Sequence, residues 1–437
     1  MHFKIHRGTQ EIGGSCVEVW TDSTRILLDF GMPLVEKDGK EFDFNKYKQL
    51  NTEELIKEGV LPDVKGLYTN NSDKLIDAVI ISHAHQDHYG LLSFIHNDVR
   101  CFLSKPTHQI IELSNIFTPQ SLQIATPAYF EKNMTFTVGD IKITPFWTDH
   151  SAFDAHSFLV ESGGKSLFYS GDFRSHGRKA NAFRWFLHNA PKHVDYLLLE
   201  GTTVGRSEQT QKSEKDIEYE LTDIFNSTDK INLIYTSGQN IDRLVSIYRA
   251  CIRSNKTFVA DVYIAKVLKT LSVYASIPFP SLKKFPLFKV IFSYHTCNQL
   301  SNKGLENVLY EFKDFKITKE EISSNARDIV MLVRPSMQKD LEHISGIEDG
   351  NFIYSLWQRY LNNAKTQKFI LYLKSRGFVM HNIHTSGHAN IKTILRAVEA
   401  LKPKNIVPIH TFEGNEYKNI FKENVVQLKD GVAVRII

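Results

Sequence analysis

The chain has 437 residues with a formal net charge of +4, and 42% of its residues are hydrophobic. This apolar content can bury a large core, and the length suggests two or three domains. The four cysteines, Cys16, Cys101, Cys251 and Cys297, show no paired spacing, which argues against a disulfide framework and a thiolate metal site. No apolar run approaches membrane-spanning length and the first residues lack a leader, so we expect a cytoplasmic protein with no membrane partner.

Short strands dominate the chain up to about Glu200, at residues 15–19, 25–29, 77–81, 141–147, 166–168 and 195–200. From about Gly201 to about Gly377, strand-like runs alternate with helical patterns, which is typical of parallel βα units. The strands are predicted at 231–235, 257–260 and 328–333, and the helices at 241–250, 264–274 and around Trp357 to Lys374. The chain then returns to strand at 378–383 and 405–409. We therefore predict a domain built from residues 1–200 and 378–437, into which an α/β domain of residues 201–377 is inserted.

The strongest chemical signal follows the apolar run at 77–81. Four potential metal ligands fall within the six residues His83-Ala-His-Gln-Asp-His88. A buried strand that ends in this way can direct His83 and His85 toward one ion, and Asp87 and His88 toward a second. Imidazole and carboxylate together suit zinc or a similar divalent ion. A solvated, His-rich turn is the alternative, but the preceding strand and the following Gly90 favour the metal loop.

This loop resembles the signature of the metallo-β-lactamase superfamily, whose members hold one or two metal ions at the edge of a β-sandwich. The resemblance implies three more ligands, each placed where a strand gives way to a loop. His150 matches the third imidazole of the first site, Asp172 matches the carboxylate that bridges both metals, and His410 matches the last ligand of the second site. Taken singly, His150 and Asp172 are equally typical of polar turns, and it is their order behind the upstream loop that indicates ligands.

An insertion between Asp172 and His410 distinguishes the β-CASP branch of this superfamily, which resembles the chain from end to end and whose characterised members cut nucleic acids. Two further motifs of that branch are matched. Glu200 stands at a strand end just after Asp172, and His388 stands in a turn of small residues that opens a helix. The resemblance implies an α/β fold: a metallo-β-lactamase αββα sandwich with an inserted α/β β-CASP domain.

Within the branch, two segments are similar to the ribonuclease J family. Residues 235–244 match its strand, turn and helix, and residues 384–388 look like its His-x-Ser-Gly-His. By this resemblance, the candidate substrate-binding residues are Ser237, Asn240, His384 and Ser386. The sequence departs from the family where His410 is followed by Thr411-Phe412-Glu413 instead of Gly-Glu, which affects substrate geometry. It also stops before an extra carboxyl-terminal domain, which leaves oligomerisation open.

The resemblance implies a metal-dependent phosphodiesterase. Two divalent ions, with zinc favoured and manganese or magnesium as alternatives, would activate a water molecule for in-line attack on a phosphodiester. Asp87 and Asp172 would bind the ions and help to hold the nucleophile. His388, which lies outside both ligand sets, would be the general acid, and Glu200 would orient it.

The expected substrate is single-stranded RNA. In the β-CASP group a His at the last motif goes with RNA-processing members, whereas DNA-repair members usually carry Val there, so His410 favours RNA. The mildly basic charge is compatible with a polyanion. The alternatives are a DNA-repair nuclease of the same branch, a hydrolase of a small thioester or lactone, and a catalytically silent RNA-binding scaffold. Exonuclease or endonuclease action, the native metal and the oligomeric state stay open.

Overall fold

The computed structural model describes residues 1–69, 74–118, 122–206, 211–421 and 424–437. These residues form a mixed α/β structure with three β-sheets, so the predicted fold class is confirmed. None of the helices in the described ranges is long and apolar enough to cross a membrane.

The strands are β1 (His2–Arg7), β2 (Cys16–Trp20), β3 (Arg25–Leu28), β4 (Ala78–Ile80), β5 (Arg100–Leu103), β6 (Pro127–Tyr129), β7 (Phe136–Val138), β8 (Ile141–Trp147), β9 (His156–Ser162), β10 (Lys165–Tyr169), β11 (Tyr196–Glu200), β12 (Asn232–Tyr235), β13 (Thr257–Asp261), β14 (Phe288–Ile291), β15 (Ile329–Leu332), β16 (Asn351–Tyr354), β17 (Val379–Asn382), β18 (Asn405–Ile409) and β19 (Ala433–Arg435).

The α-helices are α1 (Thr52–Lys57), α2 (Gln86–Tyr89), α3 (Lys105–Phe117), α4 (Ala180–Asn189), α5 (Glu214–Asn226), α6 (Ile241–Arg253), α7 (Val262–Leu271), α8 (Tyr294–Asn302), α9 (Asn307–Tyr310), α10 (Lys319–Ser324), α11 (Gln338–Glu342), α12 (Ala364–Ser375), α13 (Ile391–Leu401) and α14 (Tyr417–Phe421). Short 3₁₀ turns lie at 44–47, 92–94, 313–315, 326–328, 335–337, 358–362 and 414–416.

Two sheets pack face to face as a sandwich. The first has the order β19-β1-β2-β3-β4-β5-β6 and the second has the order β18-β11-β10-β9-β8-β7. Alternating apolar residues from both inner faces form one core, which includes Val17 and Ile26 from the first sheet and Phe158 and Leu198 from the second. The last segment of the chain completes both sheets, because β19 pairs with β1 and β18 pairs with β11.

The third sheet is parallel throughout and has the order β14-β13-β15-β12-β16-β17. Helices cover both of its faces, as buried parallel strands require. Leu244 of α6 and Leu268 of α7 belong to a core that also contains Ile110 of α3, so this face packs against the sandwich. Phe369 of α12 covers the other face. The predicted βα units between residues 201 and 377 are present.

Three details differ from the sequence-based expectation. Strand β17 pairs with β16 at the edge of the third sheet, although the second segment of the sandwich domain was expected to begin at residue 378. The helix predicted around Trp357 to Lys374 is a 3₁₀ turn followed by α12, because the Asn363 side chain caps α12. The helix predicted at 264–274 begins at Val262, because Asp261 caps it.

Candidate metal centre

The candidate ligands converge because their strands end at the same edge. Strands β8, β10, β11 and β18 run in the same direction in the second sheet, since β8 and β10 are both antiparallel to β9 while β10, β11 and β18 are parallel neighbours. His150 follows β8, Asp172 follows β10, Glu200 ends β11 and His410 follows β18. The loop at 83–88 reaches the same place from β4 of the first sheet. The sheets thus place residues that are far apart in sequence around one point.

His83, His85 and His150 form the first group of candidate ligands. His85 Nδ1 lies 3.2 Å from His83 Nε2 and 3.1 Å from His150 Nε2. His150 Nδ1 donates to the Gly387 carbonyl at 2.6 Å, and His83 Nδ1 lies 2.9 Å from the Ser82 hydroxyl oxygen. The Nδ1 atoms of His83 and His150 are therefore hydrogen-bonded, which leaves the Nε2 atoms of these two residues free to bind an ion.

Burial keeps these imidazoles neutral. It lowers the pKa of His83 and His150 well below the ordinary value and lowers the pKa of His85 to about 4. Neighbouring histidines lower the pKa of His83 and His150 further, since two cationic rings would repel each other. A neutral imidazole is the form that binds a metal ion.

Asp87, His88, Asp172 and His410 form the second group, and all four are buried. His88 Nε2 lies 3.1 Å from Asp172 Oδ2, and His410 Nε2 lies 3.3 Å from Asp87 Oδ2. Asp172 Oδ1 is buried and accepts no hydrogen bond from any described residue. The ligand atoms of each group lie within 4.8 Å of one another.

The two groups fit a pair of divalent cations. Asp172 Oδ2 lies 3.8 Å from His83 Nε2 and 3.9 Å from His150 Nε2, so this carboxylate faces both groups. Two buried aspartates, with a carboxylate oxygen that lacks a donor, leave negative charge that cations would neutralise. Histidine nitrogen and carboxylate oxygen are ligands for zinc and similar divalent metals.

Asp29, which the sequence analysis did not single out as a functional residue, supports the second group. It follows β3 in the left-handed region, with φ 59°, and it is completely buried. Its Oδ2 accepts hydrogen bonds at 2.7 Å from His88 Nδ1, the Ser82 hydroxyl and the Tyr169 hydroxyl. Asp29 therefore fixes the His88 ring so that Nε2 points at Asp172. The signal in the sequence was an acid at the end of a predicted strand.

His388 and Glu200 lie beside the second group. His388 Nδ1 is 3.4 Å from Glu200 Oε1 and 3.6 Å from Asp172 Oδ2, and 21% of the His388 side chain is exposed. Glu200 is completely buried and accepts hydrogen bonds from the backbone amides of Thr202 at 3.0 Å and Ala389 at 3.3 Å. The geometry also allows Asp172, Glu200, His388 and His410 to share an ion. Distance alone therefore leaves His388 two roles, ligand or proton donor.

The charge around His388 favours its protonated form. Burial lowers the pKa of His388, but the Asp172 and Glu200 carboxylates outweigh burial, and the pKa is raised above the ordinary value. A protonated imidazole beside the candidate metal groups can donate a proton to a leaving group.

The predicted substrate-binding residues lie on two segments. Ser386 and His384 are on the loop that carries His388, whereas Ser237 and Asn240 lie just before α6. Three of the side chains accept a hydrogen bond from a backbone amide two or three residues later, at 3.3 Å for Ser237, 3.1 Å for Asn240 and 3.1 Å for Ser386. Burial lowers the pKa of His384 to about 3. These contacts serve the turns themselves, and a role in substrate binding stays a prediction.

Comparisons with known proteins show which families this chain is similar to. The model of a β-lactamase superfamily domain matches residues 66–222. The chain is 24% identical to an RNase J-like protein of Methanocaldococcus jannaschii, over 95% of this chain and 93% of that protein. It is 22% identical to ribonuclease J of Helicobacter pylori and 20% identical to an Integrator complex subunit 11 homolog of Dictyostelium discoideum, over 97% and 92% of this chain.

The chain spans only 57% and 56% of the length of those last two relatives. Among solved structures, a protein of unknown function from Enterococcus faecalis is similar over 99% of both chains, with a TM-score of 0.78 and 21% identity. That likeness shows the fold. Residues 66–222 thus match a β-lactamase superfamily domain, and nearly the whole chain is similar to ribonuclease J and related β-CASP proteins, so the resemblance found in the sequence is confirmed.

Proposed function

We propose that this protein is a metal-dependent ribonuclease that hydrolyses phosphodiester bonds of single-stranded RNA. The observation that carries the proposal is the position of His388, which lies 3.4 Å from Glu200 and 3.6 Å from Asp172 beside two groups of candidate metal ligands. Cleavage of a phosphodiester needs a proton donor for the leaving alkoxide. A hydrolase of a small thioester or lactone does not need such a donor, nor a carboxylate such as that of Glu200 to orient it. The names of the relatives support RNA as the substrate.

The proposed ligands of the first metal are His83, His85 and His150, and those of the second are Asp87, His88, Asp172 and His410, with Asp172 facing both. Zinc is the favoured ion because imidazole nitrogen dominates the donor set, and manganese and magnesium are the alternatives. Divalent ions bound there would supply Lewis-acid chemistry, which neutralises charge on the phosphodiester and makes water a stronger acid.

The protein's own residues handle the proton of the leaving group. A water molecule attacks phosphorus and releases a proton to solvent, the bond from phosphorus to the 3′ oxygen breaks, and that oxygen takes the proton of the His388 imidazolium. His388 takes up a proton from solvent before the next cycle. The products are a 3′-hydroxyl and a 5′-phosphate. Glu200 accepts backbone hydrogen bonds and, with Asp172, raises the pKa of His388, which stabilises the cationic form of that imidazole.

Two arginines near the centre support a polyanionic substrate. The guanidinium carbons of Arg206 and Arg359 lie 5.4 Å and 5.8 Å from the centroid of the Trp357 ring. Arg359 Nη2 donates to the Gly39 carbonyl at 2.8 Å, and among the described residues neither guanidinium forms an ion pair with a carboxylate. Burial lowers the pKa of Arg206, the Glu200 carboxylate raises it and Arg359 lowers it. Arg206 is therefore close enough to Glu200 to interact with it electrostatically. We propose that this cluster binds RNA phosphates and bases.

The sheets support the proposed domain division. The sandwich uses the chain up to Glu200 and from Asn405, and the parallel third sheet uses strands between Asn232 and Asn382. We propose that the inserted β-CASP domain comprises the predicted residues 201–377 together with β17, and that RNA lies between it and the sandwich.

Matched single-stranded RNA and DNA test the proposal. Each is incubated with the protein, with and without a 5′ monophosphate, in Mn²⁺, Mg²⁺ or Zn²⁺, and we expect RNA to be cut faster. Asp172→Ala, Asp87→Ala and chelator-treated protein should be inactive while circular dichroism shows an intact fold. Equal or faster cutting of DNA would identify a DNA nuclease of the same branch. Metal-loaded protein that cuts neither polymer would overturn the proposal.

A further inference from the structure

A cluster of buried charges lies where the second sheet, the helices of the third sheet and the His388 loop meet. At its centre is Arg174, whose side chain is completely buried. The Arg174 guanidinium contacts three carboxylates: Asp242 at 2.6 Å, Asp149 at 3.3 Å and Glu214 at 3.7 Å. Asp149 follows β8 of the sandwich, whereas Glu214 and Asp242 lie on α5 and α6. One side chain therefore joins the sandwich to the helices that cover the parallel sheet.

The same guanidinium holds the loop that carries His388. Arg174 Nη1 donates to the Ser386 carbonyl at 3.1 Å, and His176 Nε2 lies 2.8 Å from the same oxygen. The next carbonyl along the loop, that of Gly387, accepts the hydrogen bond from His150 Nδ1 at 2.6 Å. His388 follows directly, with its ring 3.4 Å from Glu200. The backbone that sets the position of His388 is thus fixed to Arg174 and His176 on one side and to the first metal group on the other.

The cluster carries no spare charge. Arg243 is also completely buried and contacts Glu214 at 3.0 Å, and Lys179 pairs with Asp242 at 3.4 Å. Three cationic groups therefore face three carboxylates. A balanced buried cluster adds little stability compared with apolar packing, because desolvation offsets the Coulomb attraction. Unlike apolar packing, the cluster provides hydrogen bonds with fixed directions. One of these is the hydrogen bond from Arg174 to the Ser386 carbonyl.

We propose that Arg174 is a positioning residue for the proton donor: by holding the Ser386 carbonyl, it sets the place of His388 relative to Glu200 and the scissile phosphate. This inference rests on the proposed function, in which His388 protonates the leaving 3′ oxygen. The planar guanidinium can donate to a carbonyl and to carboxylates at the same time in fixed directions, whereas the compact ammonium of lysine cannot.

Arg174→Lys tests the role because lysine keeps the positive charge and removes the fork of donors. The substrates are an RNA and the same RNA with sulfur in place of the leaving 3′ oxygen at the linkage that the parent protein cuts. A thiolate leaves without a proton, so cleavage of the sulfur substrate does not need the acid. With the activating metal in excess, we expect R174K to cut the oxygen substrate roughly 10²-fold more slowly, the effect of a misplaced catalytic group. The sulfur substrate should be cut at nearly the parent rate.

Two variants provide controls. His388→Ala should show the same dependence on the leaving atom. Arg178→Lys should change neither rate, because Arg178 donates to Ser246 at 3.0 Å and pairs with Glu218 in the same junction, not with the Ser386 carbonyl. Equal slowing of both substrates in R174K would overturn the positioning role.

Amide hydrogen exchange provides a readout that needs no activity. Residues 384–388 should lose protection in R174K and keep it in R178K, and unchanged protection in R174K would also overturn the inference. If the parent protein cuts neither RNA, the proposed function fails, and the exchange result still decides whether Arg174 holds the loop.

Discussion

Gly31 allows the closest backbone approach to the metal centre, and its replacement by alanine tests the architecture directly. A Cβ at Gly31 would lie 1.6 Å from the Asp87 carbonyl oxygen and 2.2 Å from the Asp87 carbonyl carbon. Non-bonded heavy atoms settle near ~3.5 Å, so the loop at Asp87 would have to move by roughly 2 Å. Both contacts are with backbone, which cannot rotate away as a side chain can.

The displacement should cost activity more than stability. The Asp87 carboxylate lies 3.3 Å from His410 Nε2, and a shift of roughly 2 Å would take it out of the second group of ligands. A misplacement of ~1 Å near the chemistry can cost about 10²-fold in rate, so we expect Gly31→Ala to lose at least that much. Overpacking of this kind typically lowers the free energy of unfolding by about 1–3 kcal/mol, which a fold of this size can tolerate.

The assay is the RNA cleavage rate together with the metal content after dialysis. Gly414→Ala is the matched control, because a Cβ there would meet Pro408 Cβ and the Thr9 carbonyl oxygen at an ordinary 3.4 Å. The control should keep its metal and its rate. If Gly31→Ala protein retains both, the close approach of the two loops does not exist in solution and the reasoning is refuted.

Three further predictions concern single side chains. His388→Ala should keep its metal and lose roughly 10²–10⁴-fold in RNA cleavage, as expected for a proton donor, whereas loss of metal would identify His388 as a ligand. Asp29→Asn should weaken metal affinity by about 10–100-fold in a chelator competition, because the carboxylate that orients His88 is lost, and an unchanged affinity would contradict that role. Burial raises the pKa of Glu214, but Arg243 and Arg174 outweigh burial and lower the pKa from 4.5 to about 2. Since the folded pKa lies below the unfolded one, this carboxylate stabilises the fold fully above pH 4.5 and progressively less toward pH 2. The difference in unfolding free energy between the parent protein and Glu214→Gln, measured by urea denaturation, should therefore decrease as the pH falls from 4.5 to 2.

The sequence could predict the candidate ligands because strand ends leave a local trace. Each ligand follows a strand of three to seven residues, and parallel strands bring their carboxyl ends to one edge. The parallel third sheet was predictable for the same reason, since strands alternated with helical patterns. Helix boundaries were less predictable than the sheet, because Asn363 and Asp261 cap α12 and α7 at positions that hydrophobic periodicity does not mark.

The groups that orient the ligands left no such trace. Asp29 precedes His88 by 59 residues, and its role depends on a left-handed backbone conformation that only the packed loop enforces. Arg174 would be expected at the surface by its chemistry, yet it is completely buried because Asp242 and Glu214 arrive from helices far along the chain. Such partners are set by how the sheets dock, which a single sequence does not encode locally.

The loop that carries His388 contacts the first metal group and also positions the proposed acid. The Gly387 carbonyl orients His150 of the first metal group, and the next residue is the proposed acid. Gly387 has no room for a side chain, because a Cβ there would lie 2.4 Å from the Ser151 hydroxyl oxygen and 3.0 Å from Ser151 Cβ. Changes to the backbone of this loop should therefore alter metal affinity and proton donation together, whereas a change to the His388 ring alone separates them.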